Sequence, residues 1–298
     1  MAGIRPDKSS GMDPFSVREW ECIDRLVAEA LDEDMGPAGD VTTASVLDES
    51  ATGKAEFVAK ASGILAGLPV TESVFKKVDR GLQCAFEIKD GDAVGPDHVF
   101  GTVRGRLSAI LAAERTALNF LQRLSGIASL TDQFVRRVKG TGARIVDTRK
   151  TTPGLRLMEK YAVRVGGGDN HRFGLYDMVL IKNNHVDAAG GIGPALERCF
   201  AFLRKTGAAL RVEVETRTLD EVRRALAYPV HRIMFDNMDV EQIREGVRLV
   251  NGKAETEASG RVRLDNVRGI AETGVGFISV GCLTHSAPAL DISLHALT

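Results

Sequence analysis

LRVEVETRTLDEVRRALAYPVHRIMFD, residues 210–236, reads as a strand, a helix and a second strand. Leu210 to Glu215 alternates apolar and charged residues, and Ile233 to Asp236 is a short apolar run that stops at an acid. Between them, Leu219 to Ala227 has helical spacing. The rhythm extends both ways. Downstream lie AETEA at 254–258 and FISV at 277–280, with helices predicted over Val240–Val250 and Val267–Thr273. Upstream, runs at 144–147 and 178–182 read as strands and Pro194–Arg204 as a helix. Six short strands separated by helices imply a parallel sheet with right-handed crossovers. Such a sheet is either open and doubly wound or closed as a barrel. No GxGxxG follows the first strand and no GK[ST] phosphate loop occurs. Charged residues stand at most of the strand ends: Asp147, Lys182, Glu215, Asp236 and Glu257. Polar side chains projecting from successive strand tips into one mouth are the barrel pattern. The expected fold is α/β, an incomplete (β/α) barrel of six or seven parallel strands.

The first half of the chain reads differently. Residues 1–13 are polar and rich in Gly and Ser, which predicts a disordered tail. Ser16 and Glu19 form a capping-box pattern with Phe15 and Trp20 at the staple positions, and helical spacing continues to about Leu31. GDVTT at 39–43 is turn-like. Residues 52–105 hold short strands, many turns and a helix around Val70–Val78. From Leu107 an apolar helical face is interrupted only by Glu114, which stands beside Arg115, and a second helix is predicted over Leu130–Val138. These pieces suggest a small open sheet with helices laid on it. The expected division is an N-terminal α/β domain over 14–129 and a barrel over 130–286. Residues 287–298, too few for another strand–helix unit, would return to the first domain.

Totals narrow the function. Over 298 residues the charged fraction is 27% and the net charge −1, so nothing global favours nucleic acid or an anionic membrane. No apolar run reaches bilayer-spanning length, and the N-terminus lacks the segments of a secretory signal. Cys22, Cys84, Cys199 and Cys282 form no CxxC, which fits a reducing, cytoplasmic setting and small buried apolar roles.

Charge is instead concentrated locally. Between 144 and 185 lie Arg149, Lys150, Arg156, Lys160, Arg164, His171, Arg172, Lys182 and His185, opposed by few acids. Arg115, Arg149, Lys150, Arg156, Arg172 and Lys182 can supply positive charge, and Glu215, Asp236 and Glu257 negative charge. Arginine matches a planar carboxylate as a fork, and lysine acts as a point charge. Both signs in one mouth suggest an anionic substrate with a hard divalent cation. Glu215 and Asp236, one helix and one strand apart, can hold Mg²⁺ on a diphosphate or stabilise a developing positive sugar carbon. His171 and His185, with Arg172 beside one of them, make a poor zinc site. Ser259 and Gly260 after the fifth strand, and Gly281 and His285 after the sixth, lie where late barrel loops commonly bind phosphate.

These residues sit in longer blocks. DTRKTTPGLR at 147–156, KYAVRVGGGDNHRFGLYDMVLIKNNH at 160–185, EVE at 213–215, FDN at 235–237, EASG at 257–260 and SVGCLTHS at 279–286 closely resemble the quinolinate phosphoribosyltransferase family. ERTALNFLQRLSGIA at 114–128 and GDVTT at 39–43 are similar to it as well. Arg261 departs from the pattern, since a second glycine often follows the one at Gly260 in the family.

The resemblance implies an N-terminal open sandwich joined to a barrel of fewer than eight strands. It implies Mg²⁺-dependent transfer of phosphoribosyl from phosphoribosyl pyrophosphate to quinolinate. Nicotinate mononucleotide, pyrophosphate and CO2 would result, as a step of NAD synthesis. By resemblance, Arg115, Arg149, His171, Arg172 and Lys182 bind the quinolinate carboxylates, and Lys150 and Lys182 lie at the boundary of ring and pyrophosphate. Glu215 and Asp236 contact the ribose and metal-linked region, while Ser259, Gly260 and Gly281 match the 5′-phosphate loops. It implies a homodimer, or a larger homo-oligomer built on it, in which Arg115 enters the neighbour's site. The nearest rival is a related phosphoribosyltransferase acting on another aromatic carboxylate. A barrel enzyme using Lys150 or Lys182 as a Schiff base is a second, and a catalytically silent binding protein a third.

Overall fold

The protein, represented by a computed structural model, is described over residues 13–297. The disordered tail expected at 1–13 therefore lies outside the described residues except for its last member. Asp13 is engaged: its carboxylate accepts from the Phe15 N–H at 3.0 Å and from Trp20 Nε1 at 2.7 Å. Helix α1 (Val17–Met35) starts at the Ser16–Glu19 capping box, with the Phe15 and Trp20 rings edge to face at 5.2 Å. It runs past Leu31 to Gly36 and buries Ile23, Val27 and Leu31. GDVTT is not a turn. The Asp40 carboxylate caps Thr43 N at 2.9 Å and starts the short helix α2 (Val41–Val46).

Strands β1 (Thr52–Ala59), β2 (Gly63–Ile64), β3 (Gln83–Phe86), β4 (Ala93–Val94) and β5 (Val99–Arg106) follow, with helix α3 (Leu68–Val78) between β2 and β3. β1, β3 and β5 belong to a four-stranded antiparallel sheet whose remaining member, β12 (Ile292–Leu297), comes from the far end of the chain. Phe57, Phe75 and Phe100 fill its covered face, with Phe57 within 5.9 Å of both other rings.

Where two helices were expected, a single 31-residue helix, α4 (Leu107–Arg137), spans the sandwich and the barrel. Its middle, SGIAS, is weak in helix propensity, and tertiary contacts hold it. Ser125 Oγ and Ser129 Oγ accept from Ala66 N and Ile64 N at 3.0 and 2.8 Å. Gly126 lets the returning chain lie against the helix, since a Cβ there would sit 2.0 Å from the Pro288 carbonyl oxygen.

The second sheet is parallel and has six strands: β6 (Arg144–Val146), β7 (Val179–Ile181), β8 (Val212–Thr216), β9 (Arg232–Asp236), β10 (Glu255–Ser259) and β11 (Phe277–Ser279). Their order is β6-β11-β10-β9-β8-β7, so the ring pairs its last strand with its first and stays open between β6 and β7. Asp169 enters that seam, bridging to Val146, with its N–H 2.9 Å from the Ile145 carbonyl. Helices α7 (Ile192–Thr206), α8 (Leu219–Ala225), α9 (Val240–Val250) and α10 (Val267–Ala271) are the predicted crossovers.

Two further helices were not predicted, α5 (Arg156–Val165) and α6 (Asn183–Ala189), and α11 (Cys282–His285) follows β11. The inward face of α5 carries Glu159 and Lys160, both buried, so its period does not show as an apolar stripe.

Candidate active site

Within a strand, alternate side chains share a face. Glu213 and Glu215 on β8, Arg232, Met234 and Asp236 on β9, and Glu257 and Ser259 on β10 therefore point the same way. Glu215 pairs with Met234, Glu257 with Met234, and Ser259 with Asp236. Glu215, Asp236 and Ser259 are the last residues on that face of β8, β9 and β10, at the carboxyl ends, which is the mouth.

Asn183, the first residue of α6, joins the acids of the mouth. Its N–H donates to Glu215 Oε2 at 3.0 Å and its Nδ2 to Asp236 Oδ2 at 3.0 Å. Its own Oδ1 is buried and has no hydrogen-bond partner. Lys182 Nζ stands 3.9 Å from Glu215 Oε1 with half of the side chain exposed. Two carboxylates and an amide oxygen make a hard oxygen donor set, which suits Mg²⁺.

The cations gather at the seam. Arg172 follows the bridging segment and is 9% exposed; its Nη1 donates to the Met178 carbonyl at 3.2 Å. Burial, and then the neighbouring Arg149 charge, lower its pKa, with Glu213, Asp177 and Glu215 opposing. Among the described residues no carboxylate pairs with it directly, so its remaining donors stay available. The Arg149 Nε is also buried without a partner. Lys182 lines the other side of the same seam. The mouth thus brings together Arg149, Arg172, Lys182, Glu215 and Asp236.

Lys150 meets the late loops. Thr284 Oγ1 donates to the Lys150 carbonyl at 2.8 Å, and a Cβ on Gly281 would lie 3.3 Å from both Lys150 Cδ and His285 Nε2. The β10 tip is as tight: Gly260 has φ +99°, and a Cβ there would fall 2.3 Å from Asn237 Oδ1. Arg261 keeps the left-handed backbone of a glycine, φ +51°, and is exposed.

Several expected members of the mouth are elsewhere. Asp147 is fully buried and accepts from Lys160 Nζ, from the His171 N–H at 2.9 Å and from Asn170 Nδ2 at 2.6 Å. Burial pushes Asp147 up and Lys160 down; their attraction and these hydrogen bonds oppose it. The pair is therefore a prop beneath His171, and neither member reaches the mouth. Arg156 spends its guanidinium on Thr151 Oγ1 and on the carbonyls of Phe173 and Arg149. The His185 Nδ1 accepts from the Lys182 N–H at 2.9 Å, inside the first turn of α6.

His171, expected by resemblance at the quinolinate carboxylates, stands beside two buried acids. Its Nδ1 accepts from the Arg172 N–H at 2.7 Å, so the neutral ring carries its proton on Nε2. That nitrogen faces Glu213 Oε2 at 3.2 Å and Glu257 Oε1 at 3.6 Å, one layer below the mouth. The Nε2 itself makes no hydrogen bond to either acid. Glu257, expected at a strand end, is likewise in the buried layer, and β10 ends at Ser259 instead. Burial lowers the His171 pKa and pushes Glu213 and Glu257 each up to about 7. The three could hold a metal ion by residue type. The Nε2 proton and Arg232, whose Nη1 donates to Glu257 at 2.7 Å, argue against one.

Arg115, expected in a neighbour's site, does not line the mouth of its own chain. It is exposed on α4 beside Glu114, which feels His295 of β12, and no hydrogen bond or ion pair among the described residues ties it to the mouth. Sequence reasoning missed Asn183, Glu213, Arg232 and Asn237. The signals were present: a charge inside a strand, two residues before another acid, must face the barrel interior. An asparagine pair directly after a strand-end lysine starts a helix at the mouth.

Comparison with known proteins identifies the family and the fold. The N-terminal domain family of quinolinate phosphoribosyl transferase matches residues 40–125 and its C-terminal domain family matches 127–295. A quinolinate phosphoribosyltransferase [decarboxylating] from Nicotiana tabacum, named mitochondrial, is 47% identical over 280 residues, covering 89% of this chain and 79% of that one. A probable nicotinate-nucleotide pyrophosphorylase [carboxylating] from Bacillus subtilis is 44% identical over 272 residues, 91% of this chain and 92% of that one. The crystal structure of NadC from Streptococcus pyogenes superposes with a TM-score of 0.89 at 38% identity, over 97% of this chain and 100% of that one.

Proposed function

The chain belongs to the quinolinate phosphoribosyltransferase family, and on that premise we propose that its mouth transfers phosphoribosyl from phosphoribosyl pyrophosphate to quinolinate with loss of CO2. The products are nicotinate mononucleotide and pyrophosphate, a step of NAD biosynthesis. One observation carries the reading: Asn183 ties Glu215 to Asp236 in the mouth that also holds Arg149, Arg172 and Lys182.

The division of charge supports a division of labour. Arg149, Arg172 and Lys182 at the seam hold the two carboxylates and turn the pyridine nitrogen toward the sugar C1. Lys150, with Gly281 and His285, receives the phosphorylated end, and Ser259 and Gly260 the 5′-phosphate. The nitrogen lone pair forms the bond to C1 as the C1–O bond breaks, its electrons leaving with pyrophosphate. Glu215 and Asp236 favour the positive charge that develops on the sugar. In the ribosylated ring, the bond from C2 to its carboxylate then breaks. Its electrons enter the cationic ring, CO2 departs, and C2 takes a proton. Orientation supplies much of the rate.

Mg²⁺ belongs to this reading. Glu215, Asp236 and the Asn183 Oδ1 would hold it, and when bound it neutralises charge on the diphosphate. So does a homodimer with Arg115 reaching the neighbour's mouth. Arg115 has no ion pair among the described residues, and Leu111, one turn before it on the same helix face, is 37% exposed. A cytoplasmic setting fits the four free cysteines, although the tobacco relative is named mitochondrial.

The test is product analysis after mixing the protein with quinolinate, phosphoribosyl pyrophosphate and Mg²⁺, with nicotinate in a parallel reaction. Nicotinate mononucleotide and CO2 should appear together from quinolinate. Turnover of nicotinate alone would sink the dicarboxylate assignment.

A further inference from the structure

Arg123 lies on α4, away from every strand tip, yet its guanidinium reaches three segments behind the mouth. Nε and Nη2 donate to Glu159 Oε1 at 3.1 and 2.7 Å. Nη1 donates to the Ala287 carbonyl at 3.1 Å, and Nη2 also to the Thr284 carbonyl. Glu159 on α5 is fully buried, and it holds the loop after β6 in turn. Its Oε2 accepts from the Thr152 N–H at 3.1 Å and its Oε1 from Thr152 Oγ1 at 2.8 Å. Thr284, also fully buried, closes the circuit through its Oγ1 bond to the Lys150 carbonyl. Thr152 is two residues from Lys150, and Thr284 adjoins His285.

We propose that Arg123 and Glu159 are positioning residues, a buried clamp that sets the spacing between Lys150 and the Gly281–His285 segment and so governs the grip on the phosphorylated substrate. The claim rests on the phosphoribosyl reading above. The physical ground is geometric. A planar fork with fixed donor directions satisfies a carboxylate and two carbonyls together, which fixes the distance between the segments that carry them. Neither residue touches the mouth. The quinolinate end, at the seam, depends on other supports: the Asp147–Lys160 pair and the Met178 carbonyl.

Two variants separate this from a general structural role. Glu159→Gln keeps an oxygen toward Arg123 but turns an amide NH2 against the Thr152 N–H, releasing that link. Thr284→Val keeps the volume and removes the bond to the Lys150 carbonyl. Steady-state kinetics of each, beside wild-type enzyme turning over the same substrates, should show KM for phosphoribosyl pyrophosphate raised about fivefold to tenfold, the scale of one lost hydrogen bond. KM for quinolinate should stay within about twofold. The double variant should show less than the combined effect, because both changes free the same lysine. A parallel rise in both KM values, or an unchanged KM for phosphoribosyl pyrophosphate, overturns the clamp. If Glu159→Gln does not fold, Thr284→Val decides alone. Wild-type enzyme that makes no nicotinate mononucleotide would refute the function itself, a result distinct from either variant's.

Discussion

Asn183 Nδ2 lies 3.0 Å from Asp236 Oδ2 while the backbone N–H of the same asparagine lies 3.0 Å from Glu215 Oε2. Two carboxylates on neighbouring strands are thereby held by one residue from a third segment. Replacing Asn183 with Leu removes the side-chain bond to a charged acceptor, worth roughly 1.5–3 kcal/mol. The expected result is a fall in kcat of about tenfold to a hundredfold, with a weaker apparent affinity for Mg²⁺. Unchanged Mg²⁺ dependence in initial-rate assays would count against Asn183 Oδ1 as a member of the donor set.

Arg172 and Glu215 should fail differently. Arg172→Ala removes a buried guanidinium from the seam and should raise KM for quinolinate far more than KM for phosphoribosyl pyrophosphate. Glu215→Ala should lower kcat, since its charge matters most as the sugar becomes positive. Wild-type kcat/KM for quinolinate in the Arg172 variant would remove that residue from the carboxylate wall.

Arg115 gives a test of assembly. Arg115→Ala and Arg172→Ala should each be nearly inactive. Mixed after gentle dissociation, they should recover about a quarter of wild-type activity, because half the dimers are then hybrids with one intact site. Retained activity in Arg115→Ala alone, or no recovery on mixing, would break the shared-site arrangement.

Glu257 should shape stability against pH. Its carboxyl is pushed from an ordinary 4.5 up to about 7 by burial, so across that window the native state holds a proton that the unfolded chain releases. Native protein then binds more protons than unfolded protein, and stability falls as pH rises from 4.5 toward 7. His171, Glu213, Arg232 and Ser279 surround the group. Glu257→Gln, neutral throughout, should flatten that slope in thermal melts recorded across the window. Identical slopes for variant and wild type would show that the burial penalty is met some other way.

The barrel was readable because its strands advertise themselves. LRVEVE alternates apolar and charged residues, IMFD and FISV are short apolar runs, all three are spaced by helical patterns, and the acids that end the first two mark the mouth. What escaped was encoded in charges with two meanings. Lys160 and Asp147 look like part of a cationic loop and its opposing acid, but they neutralise each other in the interior, and with Glu159 they hide α5. His171 shows in the sequence only as one more member of a basic cluster, whereas a backbone N–H fixes its tautomer and its Nε2 faces Glu213 and Glu257. The serines and the glycine of SGIAS look like a helix end. They are instead points where other chain segments dock on an unbroken helix. In each case tertiary partners distant in sequence decide the outcome, and a local pattern carries no record of them.

The antiparallel sheet takes its last strand, β12, from residues 292–297, laid beside β1 from residues 52–59. During synthesis β1 leaves the ribosome long before that neighbour exists. The N-terminal half must wait with an open flank until almost the whole barrel has been translated. Its completion is thus a late event in biogenesis, and a released chain cut just short of residue 292 would hold all six barrel strands beside a sheet with an open, aggregation-prone edge on β1.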